Sequence, residues 1–268
     1  TSRERLTAKL NKLYDSANDI GMIMHPTKSK YLTVNAKDTG DISLGNVNVT
    51  HTSTYIYLGT PISNKPIQKQ VQEHIDRKFS SVMKFYSFIK KNSDAPFQVK
   101  KKVWESALIT SVMYSCESWL TKDLKSAERP YMSTLKQLMS VRETTTNIVI
   151  LAELGVTTAT GFIVDRQTSY FQKLSARNDF SKSYIAKIIE LAQTVRSPMV
   201  LRIDEIERTC TVNQKMKDIN TIKHQIRSAD TTRLQTYLQI NPTLGVHKIY
   251  SDNVPERART AATRLRVS

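Results

Sequence analysis

Apolar residues near the start of the chain recur at helical spacing. Six of them fit one face of a helix: Leu6, Leu10, Leu13, Tyr14, Ala17 and Ile20. Thr1 and Glu4 have the spacing of a capping box, and Gly21 follows the last apolar position. The pattern predicts an amphipathic helix that ends at Gly21.

Between residues 22 and 62 the apolar positions change to an alternation of period two. Short β-type runs cover 22–24, 30–34 and 42–44, and the alternation continues at Val47, Val49, Tyr55 and Tyr57. The stretch YIYLGTP, residues 55–61, has the pattern of a short strand that ends in a turn at Gly and Pro. We therefore expect a small antiparallel sheet of three or four short strands, with no strand after Pro61.

From Pro66 onward the spacing is helical again. The first of these helices has a continuous apolar arc formed by Val71, Ile75, Phe79, Val82, Tyr86 and Ile89. Arg77, Lys84 and Lys91 lie on the opposite arc at intervals of seven residues, over which a helix rises about 10.5 Å. The sequence therefore predicts one long helix with a straight row of positive charges on its exposed side.

Further helices account for the rest of the chain. Residues 93–96 form a helix-start cluster, and the helix after it carries Lys100, Lys101 and Lys102 in succession. Trp104 and Trp119 occupy helical core spacing, which favours packing over base stacking. With only 7 Gly in 268 residues, long helices are favoured over turns. The predicted fold class is mainly α, with a small antiparallel β element near the N-terminus followed by helical segments.

The charge of the chain changes this picture by suggesting a partner. Forty Lys and Arg against 24 Asp and Glu give a net charge of +16. A surplus of this size favours a polyanion, most often nucleic acid, over a merely basic surface. The surplus is steepest between residues 65 and 102, where ten basic residues face three acidic ones.

Several other classes of protein are disfavoured by the composition. No apolar run reaches the roughly 18 to 20 residues of a membrane span, and the N-terminus does not have the pattern of a signal peptide. We therefore expect an intracellular protein with no membrane partner. Two distant cysteines and five scattered histidines indicate neither a disulfide framework nor a soft-ligand metal site. Because the chain begins with Thr1, we expect it to be a piece of a longer protein.

Six segments together resemble a known family. They are GMIMHPTKSKYLTVN (21–35), YIYLGTPIS (55–63), VMYSCESWLT (112–121), VRETT with LAELGV (141–156), RQTSYFQKL (166–174) and RTAATRLRVS (259–268). In this order and spacing they are similar to landmarks of LINE-type (non-LTR) retrotransposon reverse transcriptases, in the part that follows the catalytic centre. His25, Ser29 and Ser115 differ from the residues usual in this family. The chain would therefore also fit a decayed or divergent copy of such an element.

The resemblance implies a division of the chain into three parts. Residues 1–62 would be the C-terminal edge of the palm, 63–140 a helical thumb and 141–268 a helical connecting region. The thumb would contact the phosphates of a template–primer duplex without reading bases. The candidate contacts there are Arg77, Lys84, Lys91, Lys100, Lys101 and Lys102, and the alternative is a solvated charged face.

The resemblance also assigns roles within the first part. Tyr57, Leu58 and Gly59 would hold the 3′ end of the primer, although Tyr57 and Leu58 would equally suit the anchoring of the sheet to the next helix. Lys28, with Lys30 behind it on the nucleic-acid side, would lie near the leaving pyrophosphate. An ordinary surface charge is the alternative for Lys28.

The sequence does not carry the chemistry of a complete polymerase. Such enzymes hold two metal ions with clustered carboxylates, including an Asp-Asp turn, and this chain has no Asp-Asp pair. We expect no catalysis and no cofactor in this chain alone, and Mg²⁺ in the intact polymerase. The expected partners are RNA, RNA–DNA hybrid or DNA, and the remainder of the polymerase or a ribonucleoprotein assembly, with a nuclear or ribonucleoprotein-associated location.

A second function from another class remains open. The chain would also suit a retrotransposon-derived structural or RNA-scaffold protein in a ribonucleoprotein assembly, for which the missing carboxylates are equally expected. Sequence-specific DNA binding is a weaker alternative, because the chain has no helix-turn-helix, zinc-finger or zipper pattern.

Overall fold

The computed structural model describes residues 3–33, 40–176, 183–196, 198–209, 214–251 and 254–267. It is 64% helical, with a small antiparallel sheet near the N-terminus followed by helices, which confirms the predicted fold class. The chain divides into two compact units, Thr1–Gln70 and Val71–Ser268. The three-part division at residues 62 and 140 stays a prediction.

The first unit is a helix packed on short strands. Helix α1 is Arg3–Asp19, and the strands are β1 Lys30–Tyr31, β2 Ile42–Leu44, β3 Val47–His51, β4 Thr54–Tyr57 and β5 Thr60–Ser63. Strands β2 and β3 pair antiparallel, β1 joins the other side of β3 in parallel, and β4 and β5 form a separate antiparallel hairpin. The alternation of apolar and polar residues gives this unit its core.

That core is small. Ile42, Leu44, Val47 and Val49 point to one face of β2 and β3 and are buried, and α1 covers them with the partly buried Leu6, Leu10 and Tyr14. Gly45 makes the turn between the two strands at φ +52°, and a Cβ there would lie 2.7 Å from the Tyr14 ring. The turn therefore requires glycine both for its backbone angle and for the contact with α1.

The sequence prediction that strands stop after Pro61 is wrong. Pro61 lies inside β5 and pairs with Ile56, and the strand continues to Ser63. Proline lacks a backbone N–H, so a ladder tolerates it where that donor would have no partner, as at the outer side of a two-stranded hairpin. The turn is formed instead by the two residues before Thr60.

The second unit consists of packed helices. Their bounds are α2 Ile67–Arg77 (which begins before the unit boundary), α3 Phe79–Lys91, α4 Phe97–Val103, α5 Thr110–Val112, α6 Lys125–Met139, α7 Asn147–Leu154, α8 Ala159–Ser175, α9 Tyr184–Thr194, α10 Pro198–Thr209, α11 Gln214–Arg227, α12 Thr232–Ile240 and α13 Glu256–Val267. A π-helical segment, Trp104–Ile109, joins α4 to α5.

The core of this unit is built around α6. Tyr131, Leu135 and Leu138 of α6 are buried at 2% exposure or less, and Trp104 and Trp119 are each 3% exposed, which confirms that the two tryptophans pack. The Trp104 indole N–H donates to the Thr134 hydroxyl at 2.9 Å, and the Tyr131 hydroxyl donates to the Thr157 carbonyl. These bonds satisfy polar atoms that burial removes from water.

The prediction of a single long helix from Pro66 is also wrong, because the segment forms two helices. Lys78 interrupts it with φ −88° and ψ 0°, so α2 and α3 are separate helices. After the interruption the buried face is formed by Val82, Phe85 and Ile89, while Phe79 is 61% exposed. The break rotates the apolar arc, which is why Phe79 leaves the core and Phe85 enters it.

Candidate nucleic-acid interface

The tip of the β4–β5 hairpin in the first unit is a tight turn that presents apolar side chains to solvent. Leu58 has φ +47° and Gly59 has φ +83°, between the paired residues Tyr57 and Thr60. Positive φ at both turn residues is the signature of a type I′ hairpin, a conformation that glycine adopts freely and leucine only at a cost of about 1–2 kcal/mol. Tyr57 and Leu58 are 58% and 74% exposed.

This exposure bears on the two roles considered for the hairpin. Tyr57 and Leu58 take no part in the buried cluster of the first unit, which consists of Ile42, Leu44, Val47 and Val49. Lys28 and Lys30 are exposed in the same unit, and the Tyr55 hydroxyl donates to the Lys28 carbonyl at 3.3 Å. The hairpin and the segment with Lys28 therefore lie side by side.

Three of the six predicted phosphate contacts of the second unit are on α2 and α3, and the other three are on α4. Arg77, Lys84 and Lys91 are exposed, and none forms an ion pair with a carboxylate in the part of the chain that the structure describes. Lys84 and Lys91 share a face of α3, whereas Arg77 is on α2 beyond the break at Lys78. The straight row of three charges predicted from the sequence is therefore limited to a pair.

The three successive lysines of α4 do not act together, which corrects the sequence interpretation. Lys100 is 1% exposed, and its ammonium donates to the Ser93 carbonyl and to Glu256 at 2.9 Å. Lys101 is half-buried against Glu105 and the Leu154 carbonyl, and only Lys102 is exposed. Successive residues on a helix point about 100° apart, so three in a row never share one face. Lys100 is thus a structural residue and leaves the set of candidate phosphate contacts.

The burial of Lys100 also alters its acid–base behaviour. Burial lowers the pKa of the Lys100 ammonium, the nearby Arg259 guanidinium lowers it further, and Asp94 acts in the opposite direction. The short contact with Glu256 compensates the charge that burial would otherwise isolate.

Three cations outside the predicted set of phosphate contacts line a groove next to α3. They are Lys90 of α3 and the exposed arginines Arg257 and Arg264 of α13. The spacing of Arg257 and Arg264, seven residues apart on a helix, was a usable signal, because it places both on one face. What the sequence could not give is that Lys90 faces them from a helix more than 160 residues earlier.

The described residues form neither a metal-ligating cluster nor a single membrane-spanning helix. No group of three or more His, Cys, Asp or Glu among them is placed to hold a metal ion. No individual helix among them is long and apolar enough to cross a membrane. The two segments 147–154 and 159–174 reach that length and apolar composition only when taken together, and they are bent by 55° at the break between them.

Comparison with protein-family models, with curated proteins and with solved structures finds no match for this chain.

Proposed function

We propose that this chain is the C-terminal part of a LINE-type reverse transcriptase and grips the RNA–DNA template–primer of the intact enzyme. The observation that carries this proposal is the contrast between two sets of cations in the second unit. The buried cations Lys100 and Arg259 are paired with a carboxylate, whereas Arg77, Lys84 and Lys91 are exposed without an ion pair to the described residues. Unpaired surface cations can neutralise phosphates without first giving up an internal partner.

The hairpin in the first unit supports the same function. Its tip exposes Tyr57 and Leu58 on a backbone that carries strain at Leu58, and such strain tends to accompany functional positions. An aromatic face held on a tight turn suits contact with the sugar and base at a primer end. Lys28, whose side chain is exposed and whose backbone carbonyl accepts from the Tyr55 hydroxyl, would serve the pyrophosphate side of the reaction.

Exposed apolar residues of the first unit suit a further part of the polymerase as partner. Ile20, Met22 and Ile23 lie just after α1 and are 72%, 61% and 90% exposed. Large apolar side chains grouped on a surface in this way are more often covered by protein than left in water.

The test is a binding titration with a labelled RNA–DNA hybrid at several salt concentrations. The charge-reversal variant Arg77→Glu, Lys84→Glu, Lys91→Glu is expected to bind at least about tenfold more weakly. Its log–log salt dependence should flatten by about 2 to 3, since each lost phosphate contact on a duplex contributes about 0.9.

A matched variant separates this contact from a general effect of charge. Lys173→Glu, Arg227→Glu and Arg233→Glu change the same number of exposed cations on α8, α11 and α12. Equal weakening by both variants, or no weakening by the first, contradicts the proposed grip. Retained RNA binding with no preference for hybrid over single-stranded RNA would favour the scaffold function instead.

A further inference from the structure

A groove in the second unit has a strongly one-sided charge. It lies between α3, the C-terminal end of α6 and α13, and its volume is about 850 Å³. Four cations and one carboxylate line it, namely Lys90, Lys100, Arg257, Arg264 and Glu256. A second groove, on the α2 side of α3, is larger at about 970 Å³ but has three cations and two carboxylates. Charge therefore distinguishes the groove at α13.

The single carboxylate of this groove, Glu256, is already paired with two buried cations. Glu256 accepts from the Lys100 ammonium at 2.9 Å and forms an ion pair with Arg259, and both of these cations are at least 96% buried. The charge left facing solvent is that of Lys90, Arg257 and Arg264, which are exposed and form no ion pair with a described carboxylate. The groove therefore presents a net positive surface.

The four arginines of helix α13 lie on two different faces of the helix. Arg259 lies over the Phe97 ring, 4.9 Å from its centroid, and Arg266 pairs with the fully buried Glu153, so these two fix the helix to the core. Arg257 and Arg264 lie on the groove side. Because α13 is fixed at both ends, its two groove arginines are presented by a rigid wall rather than by a loose terminus.

Arg264 is also oriented in advance. Its Nε–H donates to the Ser140 carbonyl at 3.1 Å, at the end of α6. Held in this way, the guanidinium keeps its two terminal nitrogens for a ligand. A planar fork with two free N–H edges suits a phosphate oxygen pair better than it suits a single neutral acceptor.

The lining of the groove combines apolar residues of α3 with hydroxyl and amide groups. Met83, Tyr86 and Ile89 are the apolar lining residues, and the Tyr86 hydroxyl donates to the Ser133 hydroxyl at 2.9 Å, which orients the ring. The polar lining residues are Ser87, Ser93, Gln137, Ser140 and Thr260. Cations beside an aromatic ring are the combination that binds single strands, with phosphates on the cations and bases on the ring.

We propose that this groove binds a single strand of nucleic acid, with phosphates at Lys90, Arg257 and Arg264 and bases or sugars over Tyr86 and Met83. A double helix is too wide to enter a cleft between adjacent α-helices, whereas an unpaired strand fits it. This site goes beyond the duplex grip proposed above and uses none of its residues. It would hold an unpaired stretch of template or product while the exposed faces of α2 and α3 hold paired nucleic acid.

The experiment compares a labelled oligouridine with an RNA–DNA hybrid on the full chain, by fluorescence anisotropy at several salt concentrations. The variant Lys90→Gln, Arg257→Gln, Arg264→Gln is expected to bind oligouridine at least about tenfold more weakly, with a salt slope flattened by about 2, because each phosphate contact on a single strand contributes about 0.7. Binding of the hybrid should weaken by a smaller factor.

Two further variants keep the test decisive. Lys173→Gln, Arg227→Gln, Arg233→Gln removes the same charge elsewhere and should leave oligouridine binding within about twofold of the unmodified chain. Ala261→Glu puts a negative charge on the exposed groove side of α13 without removing a structural contact, and it should weaken oligouridine binding even if the triple variant fails to fold. Unchanged binding by Ala261→Glu, or equal losses for the groove and matched variants, or equal losses for hybrid and oligouridine, would overturn the proposal. Failure of the duplex grip alone would leave the groove result unaffected.

Discussion

His74 is a titratable residue held almost entirely away from water. It is 2% exposed, its ring packs edge-to-face on Trp119 at 5.3 Å, and its Nε2 has no hydrogen-bond partner among the described residues. Burial, together with the nearby charges of Lys78 and Arg77, lowers the pKa of His74 to about 4, although a hydrogen bond to the Val112 backbone acts in the opposite direction. The folded protein therefore keeps this ring neutral under conditions where an unfolded chain would protonate it.

The stability of the protein should consequently decrease in acid. The unfolded histidine binds a proton below its ordinary pKa of 6.5 and the folded one only near 4, so the free energy of unfolding falls as the pH drops between these values. Between pH 7 and pH 5 the loss attributable to His74 is about 2 kcal/mol. Urea unfolding followed by tryptophan fluorescence at a series of pH values measures this loss.

Two substitutions identify His74 as the source of the effect. His74→Gln should flatten the pH dependence whatever it does to overall stability, whereas His224→Gln, at an exposed position of α11, should leave it unchanged. A pH dependence that survives His74→Gln would refute the assignment.

At the scale of elements, α13 depends on a buried ion pair with α7. Glu153 is fully buried and accepts from Arg266 Nε at 2.5 Å, from the Tyr237 hydroxyl at 2.7 Å and from the Asn241 amide at 3.2 Å. Burial and the neighbouring Glu153 charge both raise the pKa of Tyr237, so its hydroxyl stays a donor. Three donors on one carboxylate compensate the cost of burying it.

Removing one partner of this pair should be costly. Arg266→Met leaves Glu153 buried with an uncompensated charge and should lower the free energy of unfolding by about 3–5 kcal/mol in urea titrations. Arg257→Met, on the exposed side of the same helix, should cost less than about 1 kcal/mol.

The double variant Arg266→Met, Glu153→Gln supplies the control for this prediction. It removes both charges and should recover part of the loss, because no buried ion is left alone. Two outcomes would contradict the view that this ion pair holds α13. One is an Arg266→Met cost no larger than that of Arg257→Met. The other is a double variant that loses as much free energy of unfolding as Arg266→Met and Glu153→Gln lose separately when added.

The sequence predicted elements better than it predicted partners between elements. The period of apolar residues and the scarcity of glycine gave the fold class, and alternation gave the strands around Val47 and Val49 correctly. Local pattern could not show that Lys100 would be buried, because its partner Glu256 is 156 residues away. The prediction treated Pro61 as the end of the strand, and this placed the end of the hairpin too early. Only the pairing of Pro61 with Ile56 shows that the missing proline N–H costs nothing at this position.

At the scale of the whole molecule, the two units differ in how much core each contains. In the first, four apolar residues of β2 and β3 form the buried cluster, and α1 contributes no fully buried side chain. In the second, buried residues extend from Val71 to Val267 and include both tryptophans. A chain segment of some sixty to seventy residues buries proportionally less surface than a larger one and is correspondingly marginal in stability.

The two units should therefore fold with different success when separated. A chain of residues 64–268, which keeps α2 whole, is expected to show a cooperative urea transition and the near-ultraviolet circular dichroism of packed Trp104 and Trp119, because the second unit has a core of its own. A chain of residues 1–66 should unfold at a much lower urea concentration or lack a transition, since the four buried side chains of its core supply only about 6–12 kcal/mol of apolar transfer free energy against the entropy of ordering the whole segment. Because the groove lies entirely within the second unit, the 64–268 chain should bind oligouridine with the affinity of the full chain. A non-cooperative 64–268, or a robustly cooperative 1–66, would mean that core size as described does not set the stability of these units.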